Sequence, residues 1–150
     1  MRNSWLQRLH HGTKRVDYAF FVSGARSVMY GDVVYLQNSS DDYNKLAVKV
    51  YHMFLWVHKN VVCDYVVKVD TDSYVNLELL MQYLLTRPKI EYGGDVSSKA
   101  ITIRRNWTKQ QLDHPEWYPD DFTKWAIEES QWSGKYLPPY AKGGGYLLSG

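Results

Sequence analysis

The run Tyr65-Val66-Val67-Lys68-Val69-Asp70-Thr71-Asp72 constrains this chain more than any other, because β-branched residues lead straight into two carboxylates. Valine is stiff at χ1 and fits extended backbone. The segment Val61 to Val69 therefore predicts a central strand, apolar enough to be covered on both faces. Residues i and i+2 of a strand point the same way, so in extended backbone Asp70 and Asp72 face one spot. Ligands of open α/β sheets sit at such carboxyl ends. Oxygen-only ligation suits Mg²⁺ or Mn²⁺, which leave coordination positions for phosphate oxygens. The same residues also read as a polar turn with an aspartate at a helix N-cap.

Around this run the pattern alternates between strands and helices. Val16 to Ser23 reads as a buried strand closed by Gly24, and Asp32 to Leu36 as a short one. Tyr43 to Lys59 carries Leu46, Val50, Met53, Phe54 and Val57 at helical spacing, which predicts an amphipathic helix. Asn76 or Ser73 can cap a second helix over Leu77 to Leu85, stopped near Pro88. Lys89 to Val96 and Ala100 to Arg104 read as further strands, with Gly93-Gly94 a bulge or a close approach. Residues 106 to 142 are aromatic, Pro-bearing and aperiodic, and read as a long ordered loop with at most a short helix. The order predicts an α/β layer fold with a mostly parallel sheet.

Composition narrows the function classes. With 45% hydrophobic and 23% charged residues in 150, this is one globular domain's worth of chain. A net charge of +2 and no basic stripe argue against a nucleic-acid partner. The single cysteine, Cys63, follows two valines and reads as a buried thiol. The 13 tyrosines and 6 tryptophans suit sugar rings and cores equally. Two N-x-S/T triplets, at Asn38 and Asn106, fall in expected loops and read as glycan acceptors. The histidines read as surface or packing residues. Asp120, Asp121, Glu128 and Glu129 read as solvated loop carboxylates. There is no run of about 18 apolar residues to make a transmembrane helix.

Several blocks, in order, carry a resemblance. Arg2-Asn3-Ser4-Trp5 is similar to R-x-T-W, and Tyr30-Gly31-Asp32-Val33-Val34 to Y-G-D-I-I. Asp41-Asp42-Tyr43 with Leu46, Lys49 and Trp56-Val57 is similar to D-S-Y-x-N-L-T-L-K followed by W-V. Tyr65 to Asn76 is similar to Y-V-L-K-T-D-D-D-V-F-V-N. Lys124-Trp125 and the stretch Pro138 to Ser149 are similar to K-W and P-P-Y-C-S-G-G-G-Y-V-L-S. Together they make the chain resemble the β-1,3-galactosyltransferase family, which includes β-1,3-N-acetylhexosaminyl transferases and is related to Fringe.

That resemblance implies a GT-A fold, here residues 1–150 as a partial domain with the nucleotide-binding part and the start of the acceptor part. It implies transfer of galactose or an N-acetylhexosamine from a UDP-sugar to a glycan acceptor on a glycoprotein, glycolipid or proteoglycan. The linkage would be β-1,3, formed with inversion, using Mn²⁺ or Mg²⁺. It implies a lumenal Golgi location, with the membrane reached only through an N-terminal anchor not in this sequence. Asp72, with Asp70, would hold the metal. Asp70 would lie near the ribose, and Gly143, Gly144 and Gly145 would line the sugar site, where missing Cβ atoms let backbone approach closely. Arg2, Lys68, Trp125, Tyr140 and Tyr146 would complete the substrate contacts. Departures include Thr71 for the family's middle acid, Arg26 before Tyr30-Gly31-Asp32, and Ala141 for a common cysteine. The family's acidic block, with the expected catalytic base, would lie beyond Gly150. The alternatives are an inactive UDP- and metal-binding domain and a sugar-binding interaction module.

Overall fold

The computed structural model describes residues 16–87 and 90–150. Among these described residues, two three-stranded sheets and two α-helices make a mixed α/β architecture. The first sheet comprises β1 (Phe20–Ser23), β2 (Val28–Tyr30) and β3 (Val33–Leu36), in the order β1-β3-β2. β1 runs parallel to β3, whereas β2 pairs antiparallel with it. The Tyr30-Gly31-Asp32-Val33 block is the hairpin that joins β2 to β3. Tyr30 faces Val33 across a two-residue loop, and Gly31 sits at φ +58°. A positive φ at the first loop position is what a tight hairpin of this length requires, and glycine adopts it without strain. The chain leaves β1 at Gly24, whose amide donates to the Leu36 carbonyl at 3.0 Å. A Cβ there would stand 2.8 Å from that of Tyr35, so only glycine lets this short crossing lie against β3.

Helix α1 (Leu46–Asn60) follows a 3-10 turn over Tyr43–Lys45, where the Asp42 side chain accepts from the Asn44 amide. Trp56 of α1 meets Phe21 of β1 edge to face at 5.7 Å, which seats the helix on the first sheet. Asp41 ties the same region together. Its carboxylate accepts from Lys49 at 2.6 Å and from the Ser23 amide at 3.4 Å. The first and last residues of the D-S-Y-x-N-L-T-L-K block thus form an ion pair. Helix α2 (Leu77–Thr86) is capped as expected: Asn76 accepts from the Leu79 amide at 3.1 Å. Pro88 and Lys89 lie outside the described residues.

The second sheet holds β4 (Tyr65–Val69), β5 (Tyr92–Ser97) and β6 (Tyr140–Ser149), in the order β4-β6-β5. The Asp70 amide donates to Gly144 and the Gly150 amide to Asp64, so β6 runs antiparallel to β4. This corrects two expectations. β4 is an edge strand of its sheet, with Val62 fully exposed just before it, and the sheets are small rather than one mostly parallel sheet. The centre is β6, whose first residues, Tyr140 to Lys142, fall in the stretch read as a loop and whose glycine run was assigned to no strand. Gly94 is the close approach its pair of glycines suggested: a Cβ there would lie 2.9 Å from that of Ala141 and 3.0 Å from the Gly145 carbonyl oxygen. Cys63 is half-buried rather than buried.

The segment after β5 forms one isolated bridge, Ile101 to Tyr136, where a strand over Ala100 to Arg104 was expected. Beyond it come three 3-10 turns, at Lys109–Gln111, Pro115–Trp117 and Phe122–Trp125. These turns order themselves around their own core of Ile103, Leu112 and Phe122, with Trp107 and Tyr118 packed against it. Thr102, next to Ile103, is buried, its hydroxyl donating to the Gly134 carbonyl at 2.8 Å. The chain divides into two compact units. One contains residues through Val67, Thr71–Glu91 and Leu148–Gly150; the other contains Lys68–Asp70 and Tyr92–Leu147. Among the described residues, no helix is long and apolar enough to cross a membrane.

Candidate functional site

Strand alternation brings Lys68 and Asp70 to the same side of the chain. The Lys68 ammonium donates to Asp70 Oδ1 and to the Gly143 carbonyl oxygen, the latter at 2.6 Å. The lysine side chain is only 9% exposed, whereas Asp70 keeps 44% of its surface in water. Lys68 Nζ also stands 5.7 Å from the centre of the Tyr146 ring, within cation–π range. Tyr146 meets Tyr92 edge to face at 6.1 Å, and the Tyr92 hydroxyl accepts from the Ala141 amide at 2.7 Å. Burial pushes the Tyr146 phenol above its ordinary range, and the acidic groups of Tyr92 and Asp70 push it further. The Tyr146 phenol therefore stays neutral at physiological pH. At the rim, Lys142 pairs with Asp95 at 2.8 Å, and that hydrogen bond raises the lysine pKa.

The glycine run lies alongside this cluster. A Cβ at Gly143 or Gly144 would meet nothing within 4 Å, and neither residue has a positive φ. At Gly145 a Cβ would make only ordinary contact with Val69. The fold asks for no glycine at 143 or 144, which leaves open backbone beside a half-exposed carboxylate.

The expected meeting of the two acids on one strand face is not how the chain is built. β4 ends at Val69, and Thr71 and Asp72 form a turn, so strand alternation stops before Asp72. Asp70 is turned to Lys68, while Asp72 is exposed. Among the described residues, no three His, Cys, Asp or Glu side chains converge on one point. Two hard carboxylates without sulfur or imidazole still suit a Mg²⁺ or Mn²⁺ ion that draws most of its shell from water and phosphate.

The other expected contacts are dispersed. Tyr140 opens β6 and is exposed. Trp125 closes the last 3-10 turn, where it meets Tyr118 at 6.4 Å and lies under Lys124. Arg2 lies outside the described residues. Asn38 is exposed at φ +60° just past β3, and Asn106 is exposed in a turn. Asn106 also borders an open cleft of about 660 Å³ lined by Arg104, Arg105, Trp107, Ile127, Glu128 and Glu129. Asp120, Asp121, Glu128 and Glu129 are surface carboxylates, each with a cationic partner: Lys109, Lys124, Arg105 and Arg104. Tyr92 and Asp95 were missed from sequence. The signal was there in Tyr92-Gly93-Gly94-Asp95, where small residues flank an aromatic in a strand.

Comparison with known proteins adds a second line. A family model described as Galactosyltransferase matches residues 1–150. The UDP-GalNAc:beta-1,3-N-acetylgalactosaminyltransferase 1 of Mus musculus is 32% identical over 124 residues, covering 82% of this chain and 33% of that protein. Its Homo sapiens counterpart is 30% identical over 123 residues, 81% of this chain and 33% of the relative. The Beta-1,3-galactosyltransferase 5 of Pan paniscus is 26% identical over 143 residues, 92% of this chain and 39% of the relative. The chain thus spans about a third of the length of the curated relatives it matches.

Proposed function

This chain belongs to the galactosyltransferase family, and we propose that it carries the donor-binding part of a β-1,3-hexosyltransferase of GT-A fold. The donor is a UDP-sugar, either UDP-galactose or a UDP-N-acetylhexosamine. The acceptor is a glycan hydroxyl on a glycoprotein, glycolipid or proteoglycan, met in the Golgi lumen. The observation that carries this reading is the open Gly143–Gly144 backbone beside the Lys68–Asp70 pair. Backbone without side chains admits a flat, polar ligand closely. The neighbouring Tyr146 and Tyr92 supply aromatic surface of the kind that packs against sugar rings.

Asp72, with Asp70, would hold Mn²⁺ or Mg²⁺, and the ion supplies neutralisation of the diphosphate leaving group when bound. The acceptor hydroxyl displaces UDP from the anomeric carbon with inversion, through an oxocarbenium-like transition state. A carboxylate must accept the hydroxyl proton. The four acids between residues 120 and 129 are already engaged with cations at the surface. That observation favours a second reading for these 150 residues by themselves, a domain that binds UDP and metal without turnover.

Calorimetric titration of UDP tests the common core of both readings. Affinity should rise by about tenfold or more with Mn²⁺, and Asp72→Ala should abolish the rise. Equal affinity with and without the ion sinks the proposal.

A further inference from the structure

We propose that Lys68 is a positioning residue: it holds Asp70 and the glycine strand in place and does not itself touch the donor. The inference rests on the metal-dependent donor site proposed above. A lysine next to a diphosphate site would ordinarily be read as a donor contact, and the family resemblance implied a substrate contact for Lys68. The geometry points elsewhere. An ammonium has three donor hydrogens. One goes to Asp70, one to the Gly143 carbonyl, and the charge lies over the Tyr146 ring. The side chain is nine-tenths withdrawn from water. A desolvated ammonium that gave up these partners would lose several kcal/mol before meeting any new anion.

What the lysine gains for the site is a joint. Asp70 ends the acid strand, and Gly143 begins the glycine run 75 residues later than Lys68. One ammonium grips both. It limits the rotamers of the Asp70 carboxylate, taking one oxygen and leaving the other for a cation. It also fixes the carbonyl edge of the backbone that faces the donor. The adjacent Asp70 amide bond to the Gly144 carbonyl, at 3.1 Å, gives the same junction a second tie. A lost Lys68 should therefore weaken the cation's grip on UDP rather than the contact between protein and UDP.

The test measures UDP affinity by calorimetry, with and without MnCl₂, on the full chain as wild type, Lys68→Met, Lys68→Arg, Asp70→Asn and the Lys68→Met/Asp70→Asn double variant. Lys68→Met is expected to cut the Mn²⁺-dependent enhancement by about tenfold, with metal-free affinity within about twofold of wild type. The double variant should match Asp70→Asn alone, because the lysine acts through that carboxylate. Lys68→Arg, which retains the charge, should recover much of the enhancement. Lys68→Gln replaces Lys68→Met should the latter fail to fold, with the same expectation. An enhancement left intact in Lys68→Met overturns the inference. So does metal-free binding that weakens as much as metal-bound binding, since the ammonium would then be touching UDP. An Arg variant no better than Met also counts against it. Wild type lacking any enhancement sinks the parent reading instead, so the two failures are told apart.

Discussion

Alanine substitutions in two neighbouring strands should have opposite effects, and the contrast measures what the glycines are for. At Gly94, an added Cβ lies 2.9 Å from that of Ala141, 3.0 Å from the Gly145 carbonyl oxygen and 3.1 Å from the Tyr146 Cβ, at φ +158°. Nothing in that list is a flexible side-chain end, so β5 and β6 must part. Overpacking of this kind costs about 1–3 kcal/mol. For a chain of this length that lowers Tm by roughly 2–4 °C per kcal/mol. At Gly143 and Gly144 the methyl enters open space. Replacing glycine there removes freedom from the unfolded chain and should stabilise by about 0.4–1 kcal/mol. Thermal unfolding of Gly94→Ala, Gly143→Ala and Gly144→Ala gives the sign in each case. The same two methyls stand where the donor is proposed to lie, so affinity for the preferred UDP-sugar should fall by about tenfold while Tm holds or rises. UDP-galactose and the UDP-N-acetylhexosamines are titrated in parallel. Loss of more than about 1 kcal/mol in Gly143→Ala would show that the fold itself requires the glycine. Unchanged affinity for every donor would place the substrate elsewhere.

Three further outcomes are expected. Asn76→Ala removes the side chain that accepts from the Leu79 amide, and should cost about 1 kcal/mol in urea unfolding; an unchanged midpoint would mean the cap carries no weight. Lys49 holds the Asp41 carboxyl below its ordinary 3.8. A depressed acid stabilises above its unfolded pKa and loses that stabilisation as pH falls through the lowered folded value. Wild type should therefore lose a few tenths of a kcal/mol relative to Asp41→Asn below about pH 4, less in high salt; parallel pH curves for the two proteins would refute the pairing. We also propose that Asn38 and Asn106, both exposed, accept glycans. Directed into the secretory pathway, the chain should lose one endoglycosidase-sensitive mobility step with each Asn→Gln change, and no shift on digestion would rule this out.

The local part of this structure was legible in the residues. Asn76 before a periodic leucine run gave α2 and its cap, and the valines before Asp70 gave β4. Periodicity also gave α1, with its start displaced by the 3-10 turn that Asp42 caps. What sequence concealed was long-range. β6 contains three consecutive glycines behind two prolines, a composition that reads as a turn, yet its neighbours β4 and β5 make it the middle of a sheet. The aperiodic stretch from residue 106 read as an ordered loop with at most a short helix and did not give its three 3-10 turns, because their order comes from tertiary packing of Leu112 and Phe122 against Ile103. The acid pair was recognisable as a motif, but its geometry depends on where the strand stops. Alternation carried past Val69 would align Asp72 with Asp70; the turn at Thr71 ends it.

The same long-range pairing explains why polar contacts gather where the glycines are. Register in a strand is set by its side chains, and a glycine run has none, so a slip by one residue would cost little there and would reverse every face. Here the run is bracketed by buried Ala141 and Leu147. Between them, the Lys68 ammonium on the Gly143 carbonyl and the Asp70 amide on the Gly144 carbonyl do what side-chain packing does elsewhere. Tyr92 anchors the other edge through the Ala141 amide. A surface proposed to stay bare for a ligand gives up its usual means of fixing register, and hydrogen bonds from neighbouring strands supply it instead. On that logic the acid motif and the glycine motif are one unit, joined through Lys68.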